Sequence, residues 1–106
     1  MAKISPVKIT VLERSLRKDL LDKYGYSWEP CPMFQDGQEF VTDGLFMPLN
    51  FCSWAWSDME KYVQVLSHGA DMSPIPSKSG LTVVCCTDGF RPVYFLLERL
   101  KPSTKA

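Results

Sequence analysis

The sequence has no excess of charge of either sign. Its 12 Lys and Arg side chains balance 12 Asp and Glu side chains over 106 residues. Binding to a phosphate backbone or an anionic membrane surface depends on a cationic surplus, so nucleic acids and membranes are not expected partners. Hydrophobic residues make up 45% and charged residues 23% of the chain, values typical of a globular domain, which excludes a disordered tail or a fibre.

Long hydrophobic runs are also absent. The longest apolar stretches, such as residues 94–97, fall far short of the roughly 20 residues that cross a bilayer. Near the start of the chain, Lys3, Pro6 and Lys8 interrupt the region where a secretory signal has its apolar run. We therefore expect a cytoplasmic protein, in which cysteines are thiols, metal ligands or core residues.

Several sequence motifs of catalytic and metal sites are missing. The chain contains no glycine-rich phosphate loop, no two-histidine zinc motif and no nucleophile elbow. The Cys-x-x-Cys spacing of zinc ribbons and redox domains is absent too. A single histidine, His68, could serve as a general base only if the fold placed it beside a nucleophile. These absences leave cysteine as the best candidate for chemistry.

Hydrophobic periodicity predicts one α+β domain over residues 1–106, with an ordered core at 6–100 and a flexible tail at 101–106. Two helices should pack on a small, mostly antiparallel sheet in the order strand, helix, strand, helix, hairpin. Both faces of the hairpin strands are largely apolar, so we expect both to be central strands. In chain order the predicted elements are a strand starting at Val7, a helix at 16–24 capped by Ser15, a strand at 38–42, a helix from Phe51 to about Ser67 capped by Asn50, and hairpin strands at 81–86 and 93–100.

Four cysteines fall at three separate places in this arrangement. Cys31 lies in a proline-rich loop, Cys52 in the first turn of the long helix, and Cys85 and Cys86 at the end of the first hairpin strand. Because the amides and dipole at a helix N-terminus stabilise a thiolate, Cys52 is the first candidate for a reactive thiol. Adjacent residues of a strand point to opposite faces, so at most one of Cys85 and Cys86 can join a shared site.

A site formed by Cys31, Cys52 and one of the adjacent pair would hold three thiolates. Such a site suits zinc or another soft metal, with His68 or Asp88 as a possible fourth ligand, or thiol redox chemistry. The competing interpretation is that the cysteines only pack in the core, because free cysteine behaves as a small hydrophobe. A disulfide is a third alternative.

The long helix has more aromatic surface than one face can bury. Trp54 and Trp56 are two residues apart and point in different directions, so one should lie in the core and the other at the surface. An exposed tryptophan would favour a non-catalytic interaction module that acts as a homodimer. A third hypothesis is an enzyme whose small-molecule substrate, of unknown identity, is held between Asp88, Arg91 and the tryptophans. If neither residue belongs to a site, we expect His68 to be a solvated residue at the end of the helix and Arg91 to form surface ion pairs.

Four segments of the chain resemble the motifs of a small uncharacterised family of prokaryotic proteins. These segments are 31–34 (Cys-Pro-Met-Phe), 37–40, 51–58 and 85–93. The resemblance extends over about residues 7–100, and segment 71–79 is less similar to the family pattern. The family has no assigned activity, so the resemblance implies no catalytic role, but it implies that all four cysteines lie within recurring motifs.

Overall fold

Residues 4–101 are described by a computed structural model, and they form two helices and a four-stranded antiparallel sheet. This confirms the predicted α+β class and the predicted order of elements. The predicted tail at 101–106 lies outside the described residues except for Lys101. In chain order the elements are β1 (Val7–Arg14), α1 (Lys18–Tyr24), β2 (Glu39–Thr42), α2 (Ser53–Ser67), β3 (Leu81–Cys85) and β4 (Val93–Arg99).

The sheet has the strand order β2-β1-β4-β3, so β1 and β4 are central and β3 lies at an edge. The prediction that both hairpin strands are central is therefore wrong for β3. Its apolar residues do not all face the core, since Val83 on its outer face is 54% exposed. The central pairing runs from Val7 opposite Arg99 to Arg14 opposite Val93, with an irregularity between Val11 and Glu13.

Helix α2 covers one face of the sheet, and the core lies between them. Its buried side chains recur at three- and four-residue spacings, as the sequence pattern predicts for an amphipathic helix. On the sheet side, alternate residues of β1 and β4 are buried, as expected for strands with one face on the core. The main core residues are Val7, Ile9, Val11, Ala55, Trp56, Met59, Val63, Leu66, Val93, Phe95 and Leu97. Neither helix in residues 4–101 combines the length and hydrophobicity needed to cross a membrane.

Both predicted helix caps are wrong. Ser15 does not cap α1, because its backbone N–H and its Oγ both donate to the carbonyl oxygen of Pro92, at 2.9 and 2.7 Å. The chain thus stays paired with the segment before β4, and α1 begins only at Lys18. Asn50 does not cap α2 either, since it adopts a left-handed conformation with φ of 61°. The N-cap of α2 is Cys52.

The connection from β2 to α2 is attached to the C-terminal half of α2. The side-chain amide of Gln64 donates to the carbonyl oxygen of Gly44 at 2.6 Å, and the amide of Gly44 donates to Thr42 Oγ1 at 3.1 Å. Gly44 has φ of +95°, and a Cβ at this position would lie 2.7 Å from the Cβ of Ser67. Glycine is therefore required here both by the backbone conformation and by the close approach of α2.

We expect Gly44→Ala to lower the free energy of unfolding by about 3 kcal/mol, because it adds left-handed strain and a clash with Ser67. The matched control is Gly37→Ala, whose φ is +83° but whose Cβ would meet nothing within 4 Å. Gly37→Ala should lower the free energy of unfolding by only about 1 kcal/mol, because it adds left-handed strain without a clash. Urea denaturation of the two variants measures the difference, and equal losses would contradict the proposed close approach.

Candidate functional site

A pocket of about 410 Å³ lies between the N-terminus of α2, the loop before β2 and the turn from β3 to β4. Three cysteines line it, namely Cys31 from the loop, Cys52 at the N-cap of α2, and Cys86 directly after β3. All three are half-buried and are free thiols. The fold thus brings thiols from three distant stretches of sequence to one pocket, which we call the thiol pocket.

Cys85 does not reach the thiol pocket. It pairs with Tyr94 and is exposed, whereas Cys86 continues the ladder, with its N–H donating to the carbonyl oxygen of Val93 at 3.1 Å. The N–H of Val93 in turn donates to Cys86 Sγ at 3.4 Å. Partial burial of the Cys85 thiol, together with the neighbouring Cys86 and Asp58, raises the pKa of Cys85. The side chains of Cys85 and Cys86 therefore lie on opposite faces of the sheet, and only Cys86 lines the thiol pocket.

The backbone carbonyl groups of Cys31 and Cys52 both accept hydrogen bonds within the chain. Arg14, at the end of β1, donates from Nη1 to the carbonyl oxygen of Cys31 at 3.3 Å, and its Nε pairs with Asp36 at 3.3 Å. The carbonyl oxygen of Cys52 accepts the first backbone hydrogen bond of α2, from Trp56 at 2.9 Å. The side chain of Cys52 makes no capping hydrogen bond, and within residues 4–101 the first-turn amides of α2 have neither an intrahelical acceptor nor a side-chain cap. These amides and the helix dipole favour negative charge at this end of the pocket.

One rim of the thiol pocket is formed by a chain of hydrogen bonds between α2 and the residue after Cys86. Trp54, which is 63% exposed, donates from Nε1 to Thr87 Oγ1 at 2.8 Å. The hydroxyl of Thr87 lies 3.0 Å from Asp58 Oδ2, and the N–H of Thr87 donates to the same oxygen at 2.8 Å. The exposed indole is thereby fixed at the pocket by a polar partner within the chain.

The opposite rim contains an arginine held from two sides. Arg91 Nε donates to Asp88 Oδ2 at 3.2 Å, and the guanidinium carbon lies 4.3 Å from the centre of the Trp28 ring. Trp28 packs edge-on against Phe90, with ring centres 6.3 Å apart. Within residues 4–101, no acceptor bonds Nη1 or Nη2 of Arg91. Two donor groups of a fixed guanidinium are therefore available at the wall of the pocket.

Two residues predicted for the pocket lie elsewhere. His68 is the C-cap of α2, where its Nδ1 lies 2.8 Å from the carbonyl oxygen of Gln64. A helix of 15 residues is roughly 22 Å long, so His68 is separated from Cys52 by the whole of α2. Trp56 is only 8% exposed and packs in the core against Phe51, with ring centres 6.2 Å apart. Trp54 is thus the surface tryptophan of the pair, and Trp56 the core one.

The structure adds residues that sequence reasoning missed. Asp58 and Thr87 build one rim, and Trp28 supports the guanidinium of Arg91 on the other. The spacing of four between Trp54 and Asp58 places both on one side of α2, which is a local signal that could have connected them. Trp28 carries no such signal, because its contact with Arg91 joins distant parts of the chain.

The placement of the three thiols does not match a metal site in the described part of the chain. Among the described residues, no group of three or more His, Cys, Asp and Glu side chains is placed to hold a metal ion. Asp88, the acidic candidate for a fourth ligand, is occupied by protein donors, because its Oδ1 accepts the N–H groups of Phe90 and Arg91 at 2.9 and 3.0 Å. The zinc or soft-metal site expected from the sequence thus finds no support in this geometry.

The carboxylate of Asp88 is stabilised in its charged form. Its partial burial raises the pKa, but the backbone N–H groups of Phe90 and Arg91 and the guanidinium of Arg91 outweigh this, so the pKa of Asp88 is lowered. Because the folded pKa lies below the unfolded value of about 3.9, this interaction stabilises the fold above that pH. The stabilisation is lost as the pH falls through the folded pKa.

We expect Asp88→Asn to destabilise the protein by about 1 kcal/mol at pH 7, because the amide oxygen can still accept backbone hydrogen bonds but carries no charge for Arg91. The difference from wild type should shrink as the pH falls below about 4. Urea denaturation at pH 7 and pH 3 tests this, with Asp22→Asn on the exposed side of α1 as the control. A loss that is the same at both pH values would show that the charge of Asp88 is not its source.

No family model matches the chain, and no curated protein or solved structure is significantly similar to it. The resemblance of the segments around Cys31, Cys52 and the Cys85–Cys86 pair to a prokaryotic family therefore stays a hypothesis. The function has to be inferred from the chemistry of the thiol pocket itself.

Proposed function

We propose that the protein carries out thiol chemistry on a small organic molecule bound in the thiol pocket. The observation that carries this proposal is the convergence of Cys31, Cys52 and Cys86 on one pocket of about 410 Å³. This volume lies within the roughly 300–1,000 Å³ typical of ligand pockets. Aromatic walls with a few polar groups, here Asp88 and Arg91, are also typical of such sites.

The exposure of the thiols favours chemistry over simple packing. Cysteines that serve only as small hydrophobes are commonly fully buried. Cys31, Cys52 and Cys86 instead pack at the margin of the core and keep part of their surface open. A pocket ligand could therefore reach their sulfur atoms.

Cys52 is the thiol best placed to act as the nucleophile. It is the N-cap residue of α2 and lies beside the first-turn amides of that helix. Helix N-termini are a common setting of reactive cysteines. Cys31 and Cys86 would then be partner thiols in the same pocket. We place this chemistry in a reducing compartment such as the cytoplasm, where all of these thiols stay available.

The homodimer predicted from the aromatic residues of α2 has less support. Phe51 and Trp56 are buried in the core, and the exposed Trp54 already has a partner in Thr87. The exposure of Trp54 is thus explained by its position at the pocket rim, without a second copy of the chain.

Alkylation of the native protein with iodoacetamide at pH 7 tests the proposed function. We expect Cys52 to react at least about tenfold faster than Cys85, because Cys52 lies at the start of α2 in the thiol pocket whereas partial burial raises the pKa of Cys85. Peptide mass spectrometry at successive times gives the rate for each cysteine. The rate at Cys85 should continue to rise as the pH passes the ordinary thiol range of about 8.5.

The control variant is Cys52→Ser, in which the rate at Cys85 should stay unchanged because the two lie on different sides of the sheet. Exposure alone would produce the opposite order, with Cys85 fastest. The proposal is overturned if Cys85 reacts in the native protein while the three pocket thiols resist until denaturant unfolds the chain.

A further inference from the structure

We infer that the ligand of the thiol pocket is a small organic disulfide that carries a carboxylate, with the carboxylate bound by Arg91 and a disulfide sulfur attacked by Cys52. This inference rests on the proposed function and specifies its substrate class. It combines three features of one pocket: available guanidinium donors, several thiols and aromatic walls.

The carboxylate is inferred from the unused donors of Arg91. The guanidinium is held by Asp88 through Nε and by the ring of Trp28 through stacking, and its side chain is only 26% exposed. A guanidinium fixed in this way loses little freedom when it binds a planar anion, because its fork is already oriented. Nη1 and Nη2, which bond no acceptor in the described part of the chain, can donate to the two oxygens of a carboxylate.

The nearby carboxylates of Asp58 and Asp88 do not occupy Nη1 and Nη2 of Arg91. Asp88 uses Oδ1 for two backbone amides and Oδ2 for Arg91 Nε, so it orients the guanidinium without occupying its outer donors. Asp58 is held at the other rim by the backbone and hydroxyl of Thr87. The guanidinium is therefore the charged group at the wall with hydrogen-bonding capacity left for a ligand.

The disulfide is inferred from the number of thiols. A single cysteine suffices to capture an electrophile, but releasing the half of a disulfide that Cys52 has captured needs a second thiol to attack the mixed disulfide. Cys31 and Cys86 supply additional thiols in the pocket that holds Cys52. The aromatic side chains of Phe34, Trp54 and Phe90 line the same space and suit an apolar or aromatic body between the sulfur and the acid group.

The chemical step is one exchange. The thiolate of Cys52, formed by loss of its proton to solvent, attacks one sulfur of the bound disulfide. A new bond forms between that sulfur and Cys52 Sγ, the original sulfur–sulfur bond breaks, and the other half leaves as a thiolate that takes up a proton. Cys52 is oxidised to a mixed disulfide, and the departing half is reduced to a thiol, so atoms and electrons balance.

The test compares two aromatic disulfide probes that differ in charge. Dithiobis(nitrobenzoate) is aromatic and carries two carboxylates, whereas dithiodipyridine is aromatic and neutral. Both release a coloured thiol, and mass spectrometry of the peptides assigns each adduct to its cysteine. The measured quantity is the rate at Cys52 with the anionic probe divided by the rate with the neutral probe.

We expect Arg91→Gln to lower this ratio about tenfold, the effect of losing one favourable charged interaction of ordinary strength. The rate with the neutral probe should change less than about twofold, which shows that the pocket remains folded. Arg17→Gln is the matched control, since it removes a positive charge whose side chain pairs with Asp19 and does not line the thiol pocket, and it keeps the backbone hydrogen bond to Phe90, so it should leave the ratio unchanged. Arg91→Lys keeps the charge without the fork and should give an intermediate ratio.

The outcomes separate the inference from the proposed function. If Cys52 reacts with the neutral probe but Arg91→Gln leaves the ratio as in wild type, carboxylate recognition by Arg91 is wrong while thiol chemistry in the pocket stands. If neither probe modifies Cys31, Cys52 or Cys86 in the native protein, both ideas are wrong. An equal fall of the ratio in Arg91→Gln and Arg17→Gln would reveal only a general effect of net charge and would overturn the assignment to Arg91.

Discussion

The antiparallel pairing of β1 with β4 is the interaction on which the rest of the structure depends. It joins residues near the two ends of the described chain, from Val7 opposite Arg99 to Arg14 opposite Val93. Beyond the last pair of this ladder the two segments stay hydrogen-bonded, because the backbone N–H groups of Ser15 and Arg17 donate to the carbonyl oxygens of Pro92 and Phe90. This holds the turn between β3 and β4, with its cysteine, aspartate and arginine, at the end of the sheet where α2 begins. Loss of this pairing would remove one wall of the thiol pocket as well as the centre of the core.

The other walls are positioned by aromatic packing. Phe34 follows Cys31 by three residues and packs against Phe95 of β4, with ring centres 5.1 Å apart. Phe51 directly precedes Cys52 and packs against Phe34, also at 5.1 Å. Cys31 and Cys52 thus each lie close in sequence to an aromatic residue that is anchored in the core. The thiol pocket is formed where these core contacts end, so its geometry is determined by the same packing that stabilises the fold.

Local patterns predicted the elements but not their neighbours. Period-two and period-3.6 patterns place four strands and two helices correctly, and strand alternation separates Cys85 from Cys86. The same patterns cannot show that β3 has a partner on one side only, because an apolar strand can have the same sequence pattern at an edge and in the centre of a sheet. Ser15 is a good cap residue by type, yet the tertiary hydrogen bond to Pro92 takes its hydroxyl. The stacking of Trp28 on Arg91 had no local signal at all.

The polar groups around the thiol pocket show why it suits recognition of a ligand. Their hydrogen-bonding capacity is largely used within the chain, since the carboxylates of Asp58 and Asp88 and the indole of Trp54 have protein partners. In the described residues, no buried side-chain nitrogen or oxygen lacks a partner, so the outer donors of Arg91 are in contact with solvent. Water on an oriented guanidinium can be displaced by a carboxylate at little conformational cost, because Asp88 and Trp28 already hold the side chain. The proposed recognition of a carboxylate therefore rests on a rigid donor pair that lies beside several half-buried thiols.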